Sequence, residues 1–167
     1  ARDVPGRRTP GPDDRKGRID RQGLIDVVRK TLEPRTDREV FEVPLVIRSE
    51  HIDDNGHVNN VVYVGWLQDA GTAHWNARFD AQTRTKWSWV ALRHEIDYLR
   101  ALMPDSIAIA RTWVGDPQGP RFARYVRIED GEGRLCAQGV SDWCLVEATS
   151  MRPTRIPADM LPTFERR

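Results

Sequence analysis

The chain has 167 residues, of which 26 are basic and 25 are acidic, so its formal net charge is +1. This length is typical of a single domain with its own hydrophobic core, and it argues against a large multidomain enzyme. The near-balance of charge argues against a nucleic-acid-binding protein, which would carry a basic excess or a basic patch. We therefore expect no nucleic-acid partner.

The two cysteines, Cys136 and Cys144, are too few for a disulfide-rich secreted scaffold or a four-cysteine zinc site. Both fall in a segment with strand character, where their separation corresponds to roughly 26 Å, too far for a disulfide bond. The sequence contains no apolar run of about 18 residues that would cross a membrane and no stretch typical of a signal peptide. These features predict a cytoplasmic protein without a membrane span.

Residues 1–18 contain three prolines and three glycines but almost no large apolar side chains. Such a segment buries too little surface to offset its loss of conformational entropy, and we interpret it as a flexible basic tail. Residues 19–167 are predicted to form one domain that begins with a short amphipathic helix over residues 19–32. The apolar residues at approximately helical spacing are Ile19, Leu24, Ile25, Val28 and Leu32.

A period of two begins at Val40 and predicts a strand with one buried face, formed by Val43, Leu45 and Ile47. Because Pro44 cannot donate a ladder hydrogen bond, this strand should lie at a sheet edge, or Pro44 should lie at a bulge. From Asn59 to about Phe79 the spacing is helical, and the apolar stripe is broad enough to predict a helix covered on most sides. Its members are Tyr63, Trp66, Leu67, Ala70 and His74, widened by Val62, Ala73 and Ala77.

Four extended stretches follow, at roughly residues 87–100, 105–115, 121–130 and 133–147, with turn-forming residues between them. Strands joined by such short links are antiparallel neighbours, and a single apolar helix has to be covered by the sheet that they form. The element order therefore predicts an α+β domain with an antiparallel sheet and one long helix.

The segment 51–60 lies between the predicted strand and the long helix, and eight of its ten residues are polar or glycine. It supplies a carboxylate, an imidazole and three amides: Asp53, His57, Asn55, Asn59 and Asn60. The first turn of the helix adds unpaired N–H groups and the positive end of a dipole, which can stabilise an oxyanion. This chemistry predicts a hydrolytic site, although the same residue types are equally typical of a turn followed by a helix cap.

The string DDNGHVNNVVYVGWLQDA, which starts at Asp53, resembles the signature of the hotdog-fold thioesterases. The group includes 4-hydroxybenzoyl-CoA thioesterase and the acyl-carrier-protein thioesterases of plants and bacteria, which carry D-x-(N/x)-(G/Q)-H-V-N-N-x-x-Y before a helix. The matching positions are Asp53, Asn55, Gly56, His57, Val58, Asn59, Asn60 and Tyr63. The resemblance extends over roughly residues 39–162, including EIDYLRALMPDSIAI after the helix and TSMRPTRIPADM near the end.

The resemblance implies a hotdog fold, in which a curved antiparallel sheet wraps around one long central helix. It implies assembly as a homodimer or as a homotetramer, with the active site built between subunits. The implied substrate is a thioester carried by coenzyme A or by an acyl carrier protein, in fatty-acid metabolism. No metal or redox cofactor is implied.

Carried onto this sequence, the resemblance makes Asp53 the catalytic carboxylate, acting either as general base on water or as nucleophile through a mixed anhydride. The backbone N–H of Asn60 would polarise the thioester carbonyl, while the side chains of Asn59 and Asn60 hold the loop in shape. The plant enzymes imply catalytic work for Asn55 and His57, with helix capping as the alternative for His57. Residues expected to contact substrate are Gly56, Val58, Asn59 and Tyr63.

Two positions depart from the family pattern. His51 stands where the family often has an aspartate, two residues before the catalytic one. The downstream glutamate or cysteine of the plant enzymes has its nearest counterpart at Ala101 or Leu102, so a complete plant-type set of residues is not expected. Glu95 and Asp97 lie nearby on one predicted strand, and we interpret them as ion-pair partners.

Other residues have competing interpretations. We interpret His74 as a core or interface histidine and expect His94 to face solvent or a subunit partner. The H-x-D-D-x-x-H spacing that begins at His51 is not a recognised ligand spacing, so no metal site is predicted. The tryptophans are interpreted as core residues. For four of them the alternative is that they line an acyl pocket: Trp66, Trp87, Trp89 and Trp143. Two interpretations fit five of the arginines equally well: contact with the phosphates of coenzyme A, or a position on the solvated face of a strand. These residues are Arg93, Arg100, Arg121, Arg124 and Arg127.

The leading hypothesis is a soluble thioesterase that hydrolyses an acyl thioester of coenzyme A or of an acyl carrier protein. Asp53 would drive water onto the carbonyl while the start of the helix binds the oxyanion, and the acyl chain would lie in a tunnel beside the helix. Two alternatives stay open. One is a module that binds acyl thioesters without hydrolysing them, and the other is a hotdog dehydratase, which requires a differently arranged histidine and acid.

Overall fold

A computed structural model describes residues 30–166 of the chain. The predicted tail over residues 1–18 lies outside the described residues, as does most of the predicted helix over residues 19–32, so both stay predictions. The helices and strands are β1 (Phe41–Leu45), α1 (Asn60–Arg78), α2 (Ala81–Lys86), β2 (Trp87–Tyr98), β3 (Ala108–Val114), β4 (Arg121–Asp130) and β5 (Leu135–Glu147). Two 3₁₀ helices cover Ser49–His51 and Ala158–Phe164.

The five strands form one antiparallel sheet in the order β1-β3-β4-β5-β2. β1 lies at one edge, which confirms the expectation from Pro44, and Pro44 itself pairs with Ile109 of β3. β2 lies at the other edge and pairs with β5 along its length, with a bulge at Leu92. Within residues 30–166, the outer edge of β2 therefore has no strand beside it. The prediction that strands joined by short links are neighbours is wrong for β2 and β3, because β1 and β4 flank β3.

Helix α1 runs across the concave side of this sheet and contacts all five strands. Its buried face consists of Tyr63, Trp66, Leu67, Ala70, Gly71 and His74, which confirms the predicted apolar stripe. The prediction that the helix is covered on most sides is wrong for the single chain. The sheet reaches one face only, and Val61 on the opposite face is 75% exposed, while Gly65 and Ala77 are also exposed.

The core lies between α1 and the sheet, in two clusters. One surrounds the first half of the helix, where Leu67 packs against Val126 and Ile128 of β4. Gly139 of β5 permits this close approach, because a Cβ at that position would overlap Leu67 Cδ2. The second cluster surrounds the end of the helix and contains Val114, Phe122, Trp143, Leu145, Ile156, Met160 and Phe164. The two halves of α1 therefore pack near opposite ends of the same four strands, β2 to β5.

Two local features differ from the sequence expectations. The short helix α2 was not predicted, because six residues capped by Asp80 are too few to show a helical period. The second extended stretch begins later than expected, at Ala108, and Ile107 before it is 69% exposed.

Cys136 and Cys144 are buried and free in β5, as their spacing predicts. No helix of residues 30–166 is long and apolar enough to span a membrane.

Candidate functional site

A closed loop joins the 3₁₀ helix at Ser49–His51 to α1 and carries Asp53. Ile52 and Val58 pair across it as an isolated bridge. The N–H of Asp53 donates to the carbonyl of His57 at 3.0 Å, and the N–H of Gly56 donates to the carbonyl of Asp53 at 2.9 Å. Gly56 has φ +78°, a left-handed conformation that glycine adopts without steric cost, so this residue closes the turn.

The carboxylate of Asp53 is held by its own loop. Asn55 donates to it twice, from the backbone N–H to Oδ1 at 2.8 Å and from Nδ2 to Oδ2 at 3.5 Å. His57 Nδ1 lies 3.7 Å from Oδ1. Desolvation raises the pKa of Asp53, but the hydrogen bonds from Asn55 and the nearby His57 outweigh it and hold the pKa below the ordinary 3.8. Asp53 is therefore ionised at neutral pH, which suits a base or a nucleophile.

The start of α1 leaves one backbone donor unpaired. Asn59 is the N-cap, and its side chain accepts a hydrogen bond from the N–H of Val61 at 2.9 Å. Its carbonyl accepts from the N–H of Val62, and its own N–H donates to the carbonyl of His51. The N–H of Asn60 has no acceptor among residues 30–166. This donor lies at the positive end of the helix dipole and can bind a carbonyl oxygen as it becomes negative.

A cavity of about 180 Å³ opens beside the start of α1. Four of the predicted site residues line it: His57, Val58, Asn60 and Tyr63. The others are Tyr98, Leu99, Arg100 and Ala101. Of the two nearest counterparts of the plant acid or cysteine, Ala101 lines this cavity and Leu102 is buried in the core. Asp53, Asn55, Gly56 and Asn59 belong to the adjoining loop and are not part of the lining. The structure thus brings half of the predicted residues into one cavity.

Tyr98 is a site residue that the sequence did not indicate. Its hydroxyl donates to the carbonyl of Asn60 at 3.1 Å, and its ring meets Tyr63 edge to face at 5.5 Å. The hydroxyl of Tyr63 in turn accepts the N–H of Leu102 at 3.3 Å. Tyr98 stands at the end of β2, far from the motif in sequence, and only the pairing of the sheet brings it to the helix start.

A second cavity, of about 350 Å³, lies on the β1 side of the same loop. It is lined by residues of β1 together with His51, Val62, Gly65 and Trp66. His51 Nδ1 accepts the N–H of Arg48 at 3.2 Å, and its ring meets Trp66 edge to face at 5.8 Å. The loop that carries Asp53 therefore contacts one cavity through His57 and the other through His51.

The acidic residues of β2 and the remaining histidines have defined partners. Glu95 forms an ion pair with Arg93, as expected, whereas Asp97 accepts a hydrogen bond from Gln138 Nε2 at 3.0 Å and has no ion pair with a described residue. His94 is half-buried and lies 2.7 Å from Ser141 Oγ. Among residues 30–166 no three His, Cys, Asp or Glu side chains are close enough to hold a metal ion.

The five arginines do not share one role. Arg93, Arg100 and Arg121 are exposed, and Arg127 pairs with Glu33 and Glu129. For Arg124 the interpretation as part of a solvated strand face is wrong, because this side chain is 4% exposed and points into the protein beside His74. His74 is fully buried, which confirms its interpretation as a core histidine. Trp66 is a core residue, whereas a third cavity is lined by Trp87, Trp89 and Trp143.

Comparison with known proteins connects this fold to thioesterases. A family model described as the thioesterase-like superfamily matches residues 47–164. That range contains the loop, all of α1 and strands β2 to β5. A search of curated protein sequences gives no significant match.

Solved structures share the fold at low sequence identity. A Staphylococcus aureus protein in complex with coenzyme A has a TM-score of 0.67 and 15% identity, covering 78% of this chain and 85% of that chain. A Pseudomonas aeruginosa protein has a TM-score of 0.66 and 23% identity, covering 74% and 88%. A Thermus thermophilus thioesterase complexed with coenzyme A and zinc has a TM-score of 0.65 and 20% identity, covering 74% and 90%. These similarities confirm the predicted hotdog fold.

Proposed function

Because the chain belongs to the thioesterase-like superfamily, we propose that it hydrolyses an acyl thioester of coenzyme A or of an acyl carrier protein. The products are a free acid and a thiol. The observation that carries the proposal is the ionised carboxylate of Asp53, held by Asn55 on the loop that leads into the unpaired N–H of Asn60. A negative group and an oxyanion donor placed on one short loop are what hydrolysis of a thioester requires.

In the proposed reaction the carbonyl oxygen of the thioester accepts the N–H of Asn60. Asp53 then acts in one of two ways. As a general base it takes a proton from a water molecule whose oxygen attacks the carbonyl carbon, and as a nucleophile it attacks that carbon itself to form a mixed anhydride that water hydrolyses. In both cases the carbon–sulfur bond breaks and the sulfur leaves as a thiol. His57, 3.7 Å from Asp53, orients the carboxylate, and no metal or redox cofactor takes part.

The carrier group of the substrate is proposed to bind at the mouth of the 180 Å³ cavity. Arg100 lines this cavity and is exposed, so its guanidinium is available to a phosphate of coenzyme A or of the carrier's prosthetic group. Two of the structural neighbours were determined with coenzyme A, which supports coenzyme A as the carrier. Tyr63 and Val58 form the inner wall of the cavity and are proposed to contact the acyl group.

We also propose that the active form is a homodimer or homotetramer that acts in the cytoplasm, in fatty-acid metabolism. The outer edge of β2, which has no strand beside it within residues 30–166, and the exposed Leu92 on its bulge support pairing with a second copy. Val61 is exposed on α1, one residue beyond the unpaired N–H of Asn60. A second chain over this surface would cover Val61 and enclose the site.

The test is release of free thiol from a panel of acyl-CoA and acyl-carrier-protein thioesters, followed with a thiol reagent. The wild-type protein should release thiol from at least one member of the panel, and Asp53→Ala should lower kcat/KM by about 100-fold or more while retaining the fold. Thioester binding without thiol release by the wild-type protein would contradict the proposal and favour a binding module. Hydration of an enoyl thioester without thiol release would instead favour a dehydratase.

A further inference from the structure

Arg124 is a buried charged residue that has no carboxylate partner among residues 30–166. It lies on β4 and is 4% exposed. One nitrogen of its guanidinium, Nη1, donates to His74 Nδ1 at 3.2 Å and to Thr112 Oγ1 at 3.1 Å. Its Nε and Nη2 donate to no group in the described part of the chain. A buried charge of this kind is costly unless an opposite charge compensates it.

The neighbours of Arg124 do not supply that compensation. Because His74 Nδ1 accepts from Arg124, its hydrogen is on Nε2, which donates to Glu39 Oε2 at 3.1 Å. Burial lowers the pKa of His74 to about 4, so the imidazole is neutral. Glu39 also accepts hydrogen bonds from Nε and Nη2 of Arg78, which agrees with a negative charge on Glu39. Burial lowers the pKa of Arg124 only to about 10, so one uncompensated positive charge is left at neutral pH.

This guanidinium forms part of the wall of a cavity of about 320 Å³ between α1, α2 and strands β2, β4 and β5. Five aromatic side chains line the cavity: Trp75, Trp87, Trp89, Phe122 and Trp143. The only charged side chains in its described lining are Arg84 and Arg124. Gly71 of α1 leaves room for the guanidinium, since a Cβ there would lie 3.1 Å from Arg124 Cδ and 3.2 Å from Nε. The cavity therefore combines apolar walls with positive charge.

We propose that this aromatic cavity binds an organic carboxylate with an apolar body, whose carboxylate pairs with Arg124. Nε and Nη2 are two donors that a guanidinium offers side by side to a carboxylate, and neither donates to a group within the described part of the chain. The volume is within the range of small-molecule sites, and aromatic walls suit an aryl or alkyl group. Gly71 lies eleven residues after Asn60, which is about 16 Å along the helix axis, so this site is separate from the start of α1.

Binding can be measured on the full chain by isothermal titration calorimetry with 3-phenylpropionate. The matched probe is 3-phenylpropanamide, which has nearly the same shape and no charge. The acid should bind at least about tenfold more tightly than the amide, because only the acid supplies the missing negative charge. Equal affinities, or no binding of the acid at millimolar concentration, would overturn the proposal.

A pair of variants locates the binding. Arg124→Met keeps most of the side-chain volume, removes the charge, and should weaken acid binding at least about tenfold with little effect on the amide. Arg121→Met, an exposed arginine on the same strand, should bind the acid as the wild-type protein does. If a folded Arg124→Met retains full affinity for the acid, the site is wrong. Should that variant not fold, the comparison of acid and amide on the wild-type chain still decides, and it involves no thioester hydrolysis.

Discussion

At the scale of single residues, Asp53 and Arg124 are charged for different reasons. Asp53 is partly exposed, and its loop gives it hydrogen bonds that lower its pKa. Arg124 is enclosed, and its hydrogen bonds go to the neutral side chains of His74 and Thr112. The first arrangement stabilises a reactive anion near water. The second leaves the Arg124 guanidinium without an opposite charge among residues 30–166, in the wall of an aromatic cavity that is proposed to bind a carboxylate.

The buried His74 makes folding stability depend on pH. Its pKa is about 4 in the folded chain against an ordinary 6.5, so below 6.5 the unfolded chain binds a proton that the folded chain does not. The free energy of unfolding should therefore fall as the pH drops, by about 2 kcal/mol between about pH 7 and about pH 5. Glu39, whose pKa is lowered chiefly by its hydrogen bond to Arg78, titrates below this window.

Urea denaturation at the two pH values measures this effect. In His74→Gln the side chain does not titrate, so the loss of stability between the two pH values should be smaller than in the wild-type protein by about those 2 kcal/mol. The same pH dependence in both proteins would contradict the assignment of a neutral, buried His74.

The candidate site was predictable from sequence only where its geometry is local. The turn through Gly56 and the cap at Asn59 follow from residues within one short segment, and both lie where the motif indicates. Tyr98 and Arg124 reach their sites through strand pairing, which a single sequence does not specify. Arg124 also belongs to a residue type that is usually exposed, so its burial had no local signal.

At the scale of elements, hydrophobic period predicted the long structures and missed the short ones. Helix α1 and strands β2 to β5 have enough residues to show a period, and each lies close to the predicted range. The helix α2 and the 3₁₀ helix at Ala158–Phe164 are too short for a period to show. Helix α2 is capped by Asp80 and has no buried residue, whereas the 3₁₀ helix places Met160 and Phe164 in the core cluster at the end of α1. Short links account for the neighbours β3, β4 and β5, and Pro44 accounts for β1 at an edge, but they do not account for β2, which pairs with β5 and not with β3.

The contact between α1 and β5 can be tested through Gly139. Gly139→Ala places a methyl group on Leu67, and we expect it to destabilise the protein by about 1–3 kcal/mol, because the core has to shift. Gly65→Ala is the matched control, since Gly65 is exposed in α1 with no neighbouring atom, and alanine favours a helix by up to about 1 kcal/mol. Thermal unfolding followed by circular dichroism should show opposite changes in Tm, and equal changes would contradict this packing.

At the scale of the whole molecule, residues 30–166 expose apolar surface and place no strand along the outer edge of β2. Leu92 is 51% exposed on the bulge of that strand, and Val61 is exposed at the start of α1. A sheet edge of 12 residues with apolar side chains is prone to pair with another strand. Pairing of two copies would extend the sheet and bring a second chain towards the loop of Asp53.

Light scattering after size exclusion tests the proposed assembly. The wild-type protein should have at least twice the 19.2 kDa mass of the chain. Leu92→Lys, which adds charge at the free edge, should shift the population towards single chains. Met151→Lys, at an exposed apolar residue outside the strands, should leave the mass unchanged. A wild-type protein of single-chain mass would contradict the dimer.

The central claim is that Asp53 carries out thioester hydrolysis, and the most direct test compares two neighbouring aspartates. Asp53→Asn and Asp54→Asn each remove one negative charge from the same loop, but only Asp53 is held by Asn55 beside His57. With the best thioester of the panel, Asp53→Asn should lose about 100-fold or more in kcat for thiol release, while Asp54→Asn stays within about threefold of the wild-type protein. Equal activity of the two folded variants would contradict the claim.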